Sequence, residues 1–383
     1  MKQIYFDNGS TSFPKAPGVG KAVIDFLDQG AFNVNRGNYE GAYEVADQVL
    51  MVRERLAALF CAPDSRNVVF TPSVTFSLNY LIKGLLKKGD HVVITSMEHN
   101  AVMRPLAQLC EQGIITYDVV TGNEEGEVCA ADFRQKIRGN TRAVIVLHAS
   151  NVCGTIVPIA EIGEICREAD IYYAVDTAQT AGILEIDIQK CHIDFLAFTG
   201  HKGLLGPQGI GGFIISEQLS RDLVPLIAGG TGSQSDALAM PEMLPDKFES
   251  GTLNLPGIIG LHASLGYIKE TGWEVLHAKK MELTAYFLES LKEIPGSRVI
   301  GKQGVKDRVA VVSVDFENKD NAVIAFELER RYGIMTRVGL HCAPMAHHTL
   351  NTFPQGTVRF SFSAVNTKEE VDVCIAGLKA LKL

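Results

Sequence analysis

The fold of this chain is constrained most by an alternation of short apolar runs with longer amphipathic stretches. Runs rich in β-branched residues are typical of buried strands, and they occur at residues 67–71, 91–95, 142–148, 171–176, 194–199 and 211–215. Helical patterns separate several of these runs, near residues 43–60, 75–87, 101–112 and 158–169. The alternation predicts a doubly wound α/β unit, in which helices cover both faces of a mostly parallel sheet.

The pattern changes after Gly251. Helices are predicted at residues 255–271, 273–294, 321–332 and 367–381, and strands at residues 309–316 and 357–363. These elements are typical of a smaller α+β unit. We therefore expect a large domain at residues 12–250 and a small C-terminal domain at residues 251–383, which residues 1–11 join.

Composition excludes several function classes. The 383 residues carry a formal net charge of -8, and this weakly acidic balance indicates no nucleic-acid partner. No apolar stretch approaches the roughly 18 residues of a membrane span, and the start lacks a signal-like apolar segment, so we expect a cytoplasmic protein without membrane contact. The eight cysteines form no CxxC pair, and in a reducing compartment most are expected to be free, buried and inert.

Polar residues follow several of the predicted strands, where ligands bind in open α/β sheets. Thr75 opens a helix, and its hydroxyl suits either a phosphate or a helix cap. His99 follows the second run, as a catalytic group or an ordinary polar residue. Asn151 suits a ring hydroxyl or a turn. Asp176 ends a strongly apolar strand, where an acid can bind a metal, cap a helix or pair with a buried cation.

Lys202 follows the strand at residues 194–199 on a glycine-flanked turn, Gly200–Gly203. A lysine there is well placed for a lowered pKa and Schiff-base chemistry, although most lysines are simply exposed in loops. The order of hydroxyl, His, Asn, Asp and Lys fits pyridoxal 5'-phosphate (PLP). This cofactor needs partners for its phosphate, a residue to stack on its ring, an acid for its pyridine nitrogen and a lysine for its aldehyde.

Over essentially its whole length, the chain resembles the class V aminotransferase-like PLP enzymes, in the cysteine desulfurase and selenocysteine lyase branch. The resemblance rests on these segments: NVNRG (33–37), MEHN (97–100), HASNVCG (148–154), VDTAQ (175–179), TGHKGLLGPQGIGG (199–212), FESGTLN (248–254), RVGLHCA (337–343) and VRFSFSAVNT (358–367). The GHK segment followed by GPxGxG is highly specific. The RxGxHCA segment is similar to that of the SUF-system desulfurases.

The resemblance implies the fold of PLP-dependent transferases of fold type I and a role for each matching residue. Lys202, Cys342 and His99 would be catalytic: the Schiff-base lysine, the cysteine that takes the sulfur, and the histidine that stacks on the ring. Two further sets are implied. The other cofactor-binding residues would be Thr75, Asn151, Asp176, Gln179, Thr199, His201 and Thr252, of which Thr252 would reach the phosphate of a partner subunit. The substrate-binding residues would be Arg359, on the α-carboxylate, and Asn35.

The implied activity is the removal of sulfur from L-cysteine, which gives L-alanine and a persulfide on Cys342, in a homodimer that passes the sulfur to an acceptor protein. Selenocysteine is a second possible substrate. Phe76 replaces a Glu that is frequent in the family, and Val338 and Leu340 replace a Thr and a His. These departures leave open the choice between the two amino acids and the identity of the acceptor.

Other interpretations remain. Another class V PLP reaction, such as transamination or a β-lyase reaction, fits the same cofactor site, but a transaminase has no use for a nucleophilic cysteine. A metal site at His341, Cys342, His347 and His348 lacks the second close ligand pair that structural zinc sites usually show. A non-catalytic scaffold would have no need of Lys202.

Overall fold

The computed structural model describes residues 3–34, 37–234, 236–317 and 319–381. Its strands are β1 (Ile4–Tyr5), β2 (Val68–Thr71), β3 (His91–Thr95), β4 (Thr116–Val120), β5 (Thr141–Leu147), β6 (Tyr172–Asp176), β7 (Phe195–Thr199), β8 (Gly211–Ile215), β9 (Ser297–Ile300), β10 (Val311–Phe316), β11 (Ile334–Met335), β12 (Arg337–Gly339) and β13 (Thr357–Ser361).

The α-helices of the described ranges include long and short elements. They are α1 (Val19–Gly30), α2 (Glu40–Leu59), α3 (Val74–Leu85), α4 (Asn100–Glu111), α5 (Ala130–Lys136), α6 (Ile159–Glu168), α7 (Glu217–Asp222), α8 (Leu255–Thr271), α9 (Trp273–Leu291), α10 (Asn321–Tyr332), α11 (Pro344–Thr349) and α12 (Lys368–Ala380).

Local sequence explains several helix ends. The Asn254 side chain accepts a hydrogen bond from the Gly257 N–H and caps α8. Thr367 and Glu370 form a reciprocal capping box at the start of α12. Gly333 ends α10 in the left-handed region, with φ 70°, which favours glycine because it has no Cβ.

In the described part of the chain, seven strands form a large sheet in the order β2-β8-β7-β6-β5-β3-β4. Neighbours from β7 through β6, β5 and β3 to β4 are parallel, whereas β8 runs antiparallel to both β7 and β2. Strands β3, β5, β6 and β7 are buried throughout except at Arg142, because helices cover both faces. The predicted doubly wound, mostly parallel sheet is therefore confirmed.

The C-terminal part contains a smaller antiparallel sheet in the order β12-β13-β10-β9, and β1 pairs in parallel with β11. Its core contains Phe6 together with Phe287 and Phe360, so the N-terminal segment packs with the C-terminal elements. Helix α8 instead buries Leu255, Ile258 and other residues in a core of the large sheet. The domain boundary at residues 250 and 251 stays a prediction. Among the described residues, no helix combines the length and apolarity that a membrane crossing requires.

Candidate active site

The candidate active site lies where the parallel strands β3, β5, β6 and β7 end together. Asp176, the last residue of β6, pairs in register with Ala197, two residues before the end of β7. Parallel strands bring their carboxyl ends to one edge of the sheet, and the residues that follow them converge there. A cavity at this edge is lined by Val74, His99, Leu147, Ala149, Asn151, Asp176, Ala178, Gln179 and Lys202.

Asp176 is the buried acid of this cavity. The Ala178 N–H donates to its Oδ1 at 2.8 Å. Burial raises the pKa of the Asp176 carboxyl, while that hydrogen bond and the nearby Lys202 cation act in the opposite direction. As a carboxylate, Asp176 could accept a hydrogen bond from a protonated ring nitrogen that enters the cavity.

Lys202 stands on the tight turn after β7. A side chain at Gly203 would collide with the Ala181 carbonyl oxygen, so glycine is required beside the lysine. Burial lowers the pKa of Lys202 to about 8, against the opposing effect of Asp176, and the Arg359 and Arg337 cations lower it further. An amine with this pKa has a substantial neutral fraction near neutral pH, which nucleophilic attack on a carbonyl carbon requires.

His99 caps the N-terminus of α4. Its Nδ1 accepts a hydrogen bond from the Ala101 N–H at 3.0 Å, which leaves the proton of the neutral ring on Nε2. Burial lowers the pKa of His99 to about 4, and the Lys202 and Arg337 cations lower it further. The imidazole is thus a neutral aromatic ring lining the cavity.

Near the strand ends, the buried side-chain atoms without a hydrogen-bond partner in the described part of the chain include Asn151 Oδ1, Thr199 Oγ1 and His201 Nδ1. Burial lowers the pKa of His201 to about 4, so this ring is neutral. Buried polar atoms in native proteins are nearly always bonded, and unpaired ones indicate a missing ligand or water. Together with Lys202 and Asp176, they fit a polar aromatic cofactor that carries an aldehyde.

The remaining cofactor positions differ in their placement. Gln179 lines the cavity, and its Nε2 donates to the Gly9 carbonyl at 3.1 Å. Thr75 is exposed in the first turn of α3, beside the cavity residue Val74. Thr252 is also exposed, with its Oγ1 3.5 Å from Asn33 Nδ2. Neither threonine lines the cavity, and Asn35 lies outside the described residues.

Arg359 projects from β13 and is fully buried. One guanidinium nitrogen donates to the Asn151 carbonyl at 3.0 Å. The other donates to Asp7 Oδ1 at 2.7 Å and to Ser10 Oγ at 2.8 Å. Arg359 therefore connects the small sheet and the N-terminal segment to the loop that carries Asn151.

Cys342 lies on a short turn after β12 and is exposed. Its Sγ is 3.4 Å from Arg337 Nη2, a cation that can stabilise a thiolate. The Asn100 N–H donates to the Cys342 carbonyl at 2.8 Å, which places the cysteine turn beside His99. Both His341 and Cys342 have positive φ, 49° and 59°, which is uncommon for residues with side chains.

The other cysteines only partly follow the prediction. All eight are free, but only Cys153, Cys166 and Cys374 are buried, so the expectation that most would be buried is wrong. Cys110 and Cys129 are exposed because they occupy surface positions of amphipathic or loop segments.

The residues of the alternative metal site have other partners: His341 Nε2 lies 3.0 Å from Thr357 Oγ1, and His347 Nδ1 lies 2.6 Å from Thr352 Oγ1. In the described residues, no group of three His, Cys, Asp or Glu side chains is arranged to hold a metal ion.

Sequence reasoning missed Glu98, which is fully buried directly before His99. Its Oε1 accepts from Thr95 Oγ1 at 2.6 Å and from the Leu147 N–H at 3.1 Å, and it joins the ends of β3 and β5. Burial raises the pKa of Glu98 to about 8 despite these two bonds. The only signal in the sequence was its position inside the MEHN segment.

Replacing Glu98 with Gln should stabilise the protein increasingly as the pH rises. The folded-state pKa of about 8 exceeds the ordinary value of 4.5, so the stability contributed by Glu98 is complete below pH 4.5 and is lost as the pH approaches 8. The Gln variant should gain up to about 1.4 kcal/mol in unfolding free energy per pH unit across this window. Urea unfolding across the window measures this gain. The exposed Glu111→Gln is the control, and an equal pH dependence in wild type and Glu98→Gln would contradict the prediction.

Comparison with known proteins identifies the family. The model of the family described as Aminotransferase class-V matches residues 4–374. A probable cysteine desulfurase of Methanothermobacter thermautotrophicus is 33% identical over 375 residues, 97% of this chain and 92% of that protein. The apo structure of a cysteine desulfurase from Thermococcus onnurineus NA1 has a TM-score of 0.92 at 32% identity and covers 99% of this chain and 94% of that one. An Escherichia coli cysteine desulfurase structure has a TM-score of 0.89 at 28% identity, with 99% and 95% covered. These likenesses confirm the predicted fold class, and the chain belongs to the class V aminotransferase family.

Proposed function

We propose that this protein is a PLP-dependent cysteine desulfurase, which converts L-cysteine to L-alanine and keeps the sulfur as a persulfide on Cys342. The observation that carries the proposal is the meeting of two reactive groups at one site. Lys202 lines a cavity with Asp176 and His99, and the Cys342 turn is hydrogen-bonded to the residue after His99. The names of the relatives at about a third identity support the same activity.

PLP fits the residues that line and flank the cavity. Lys202 Nζ would hold the aldehyde carbon, Asp176 the pyridine nitrogen and the His99 ring a face of the cofactor. Asn151 and Gln179 would lie beside the ring hydroxyl. The phosphate would be held by Thr75, Thr199 and His201, and by Thr252 of a partner subunit. When bound, PLP withdraws electrons from the Cα of an attached amino acid.

Two groups of this chain would handle the substrate before sulfur transfer. Arg359 would bind the α-carboxylate through its guanidinium, a planar donor that suits a carboxylate. Lys202, released from the cofactor by the substrate amine, would take the proton from Cα, a role for which a pKa of about 8 is suitable.

Cys342 would then take the sulfur. Its thiolate Sγ forms an S–S bond with the substrate sulfur as the Cβ–S bond breaks, and the electron pair of that bond stays with the carbon fragment. A proton added at Cβ, and the return of a proton from Lys202 to Cα, complete alanine. Arg337 Nη2 lies 3.4 Å from the Sγ atom that would make this attack.

Product analysis tests this proposal against the other class V reactions. The purified protein, loaded with PLP and given L-cysteine and a dithiol reductant, should release alanine and sulfide in equal amounts. Pyruvate and ammonia would instead indicate a β-lyase. Transfer of the amino group to an added 2-oxo acid would indicate a transaminase.

Replacing Arg359 with Ala should raise KM for cysteine by about 30-fold or more, since loss of one partner of a buried charge pair typically costs about 2–5 kcal/mol. The variant also leaves Asp7 unpaired, so its unfolding temperature must be measured alongside the kinetics. Arg104→Ala, an exposed arginine on α4, is the matched control. A KM near that of wild type in a folded Arg359→Ala would show that the carboxylate is bound elsewhere.

We also propose that the enzyme is a homodimer. Large apolar side chains are exposed on α1 and α2, among them Ile24, Leu27 and Tyr43, and such surfaces favour association. Sedimentation should give a dimer, and Thr252→Ala should lower PLP affinity while the dimer persists. A fully active monomer would contradict a shared site.

The exposed Cys342 is reachable by an acceptor protein that takes its sulfur. We further propose a cytoplasmic location, with which eight free cysteines are consistent.

A further inference from the structure

Lys280, on α9, is a buried lysine without a counter-charge. The residue is 7% exposed, and no described side chain forms a hydrogen bond or ion pair with its Nζ. Burial lowers its pKa to about 8, and no carboxylate acts against that effect. Buried ammonium groups are normally paired, because an unpaired charge is costly to remove from water.

Lys280 lines two small cavities. The first cavity extends to Lys202 and Gln179, on the side of the candidate active site. The second extends to Lys15 and Tyr267. Ser363 and Leu205 also line both cavities. Among the described residues, the Ser363 hydroxyl forms one hydrogen bond, a weak one that it accepts from the Val365 N–H at 3.5 Å.

The charged side chains that line these two cavities are all basic. Among the described residues, the linings of the two cavities contain Lys15, Lys202 and Lys280 but no Asp or Glu. Lys15 donates only to neutral oxygens, at 3.0 Å to Thr11 Oγ1, 3.3 Å to Ser12 Oγ and 3.2 Å to the His201 carbonyl. Asp176 acts on the charge of Lys202, whereas no carboxylate offsets the effect of burial at Lys15 or Lys280.

The cavities limit the size of a ligand. Each has a volume of about 30 Å³. A water molecule needs roughly 10–15 Å³, so each cavity has room for one monatomic ion with a water.

We propose that the cavities beside Lys280 bind a small monovalent anion of the halide class, chloride in the cell, which supplies the counter-charge for Lys280. Ser363 would donate its hydroxyl proton to the same ion. Lys202 lines one of the two cavities, but His99 and Asn151 line neither, and the anion takes no part in the proposed reaction.

Bromide provides a direct test, since it replaces chloride and scatters anomalously. Crystals of the purified protein soaked in sodium bromide should show an anomalous peak within contact of Lys280 Nζ, and crystals of Lys280→Met should lack it. Bromide peaks confined to the protein surface would overturn the proposal.

Thermal unfolding gives an independent measurement in solution. In sodium chloride the wild type should unfold about 1–2 °C higher than in sodium gluconate of equal ionic strength, because a ligand that binds only the folded state stabilises it. The exposed neighbour Lys279→Met should behave like the wild type, and Lys280→Met should show no difference. If Lys280→Met does not fold, the bromide peak and the comparison of the two salts with the wild type still test the proposal. Equal unfolding temperatures in the two salts for wild type would contradict the proposal.

Discussion

Replacing Lys202 with Ala should abolish turnover, lowering kcat by roughly 10³-fold or more, because it removes both the group that holds the cofactor aldehyde and the base at Cα. PLP should remain bound through the residues around its ring and phosphate, but without a covalent bond. Borohydride reduction followed by peptide mass spectrometry should find the cofactor on Lys202 in wild type and nowhere in the variant.

Lys202→Arg is the matched variant for this experiment. It keeps a cation in the cavity, but a guanidinium does not lose its proton in proteins, so it should be as inactive as Lys202→Ala. Substantial turnover by either variant would contradict the role assigned to Lys202. Activity in the Arg variant alone would mean that only the charge at this position matters.

Replacing Cys342 with Ala should affect the turnover of cysteine and of selenocysteine differently. Desulfuration of cysteine should fall by about 100-fold or more, since the nucleophile for the carbon–sulfur bond is lost. Selenocysteine turnover should stay within about tenfold of wild type, because a selenolate is the better leaving group and Lys202 still handles the proton at Cα. Alanine release from each amino acid, with and without a reductant, measures both rates.

Mass spectrometry completes this test. After turnover with cysteine, the wild-type peptide that contains Cys342 should carry one added sulfur. Cys110→Ala is the matched control, since Cys110 is also exposed but lies at the end of α4, away from the cavity residues. Desulfuration of cysteine at the wild-type rate by Cys342→Ala would show that the cysteine is structural.

The strands of the large sheet were predictable because β-branched runs that are buried on both faces leave a continuous apolar signal. The predicted run at residues 171–176 corresponds to β6, and that at 194–199 to β7, each within one residue. Strand β4 was missed, because the edge strand Thr116–Val120 carries polar residues and is only half-buried. The two-residue strand β11 could not be predicted, since it exists only through its pairing with β1 across the fold.

In the candidate site, too, some features were predictable from the sequence and others were not. His99, Asn151, Asp176 and Lys202 follow strand ends, so the sequence predicted that they would meet at one edge of the sheet, and they line one cavity. The partners of Arg359 were not predictable, because Asp7 lies 352 positions away and belongs to no motif. The anchoring of the Cys342 turn by Asn100 is a long-range backbone hydrogen bond, which no side-chain pattern records.

The anchoring of the Cys342 turn has a consequence for the proposed sulfur transfer. Cys342 is exposed, but its neighbours His341 and Ala343 are buried, at 2% and 0% exposure, and its own carbonyl accepts a hydrogen bond from Asn100. Under the proposed mechanism, a sulfur atom on Cys342 would stay at the position of this turn. The receiving thiol would have to come to Cys342, so the fit between the acceptor and the surface around the turn would select the recipient.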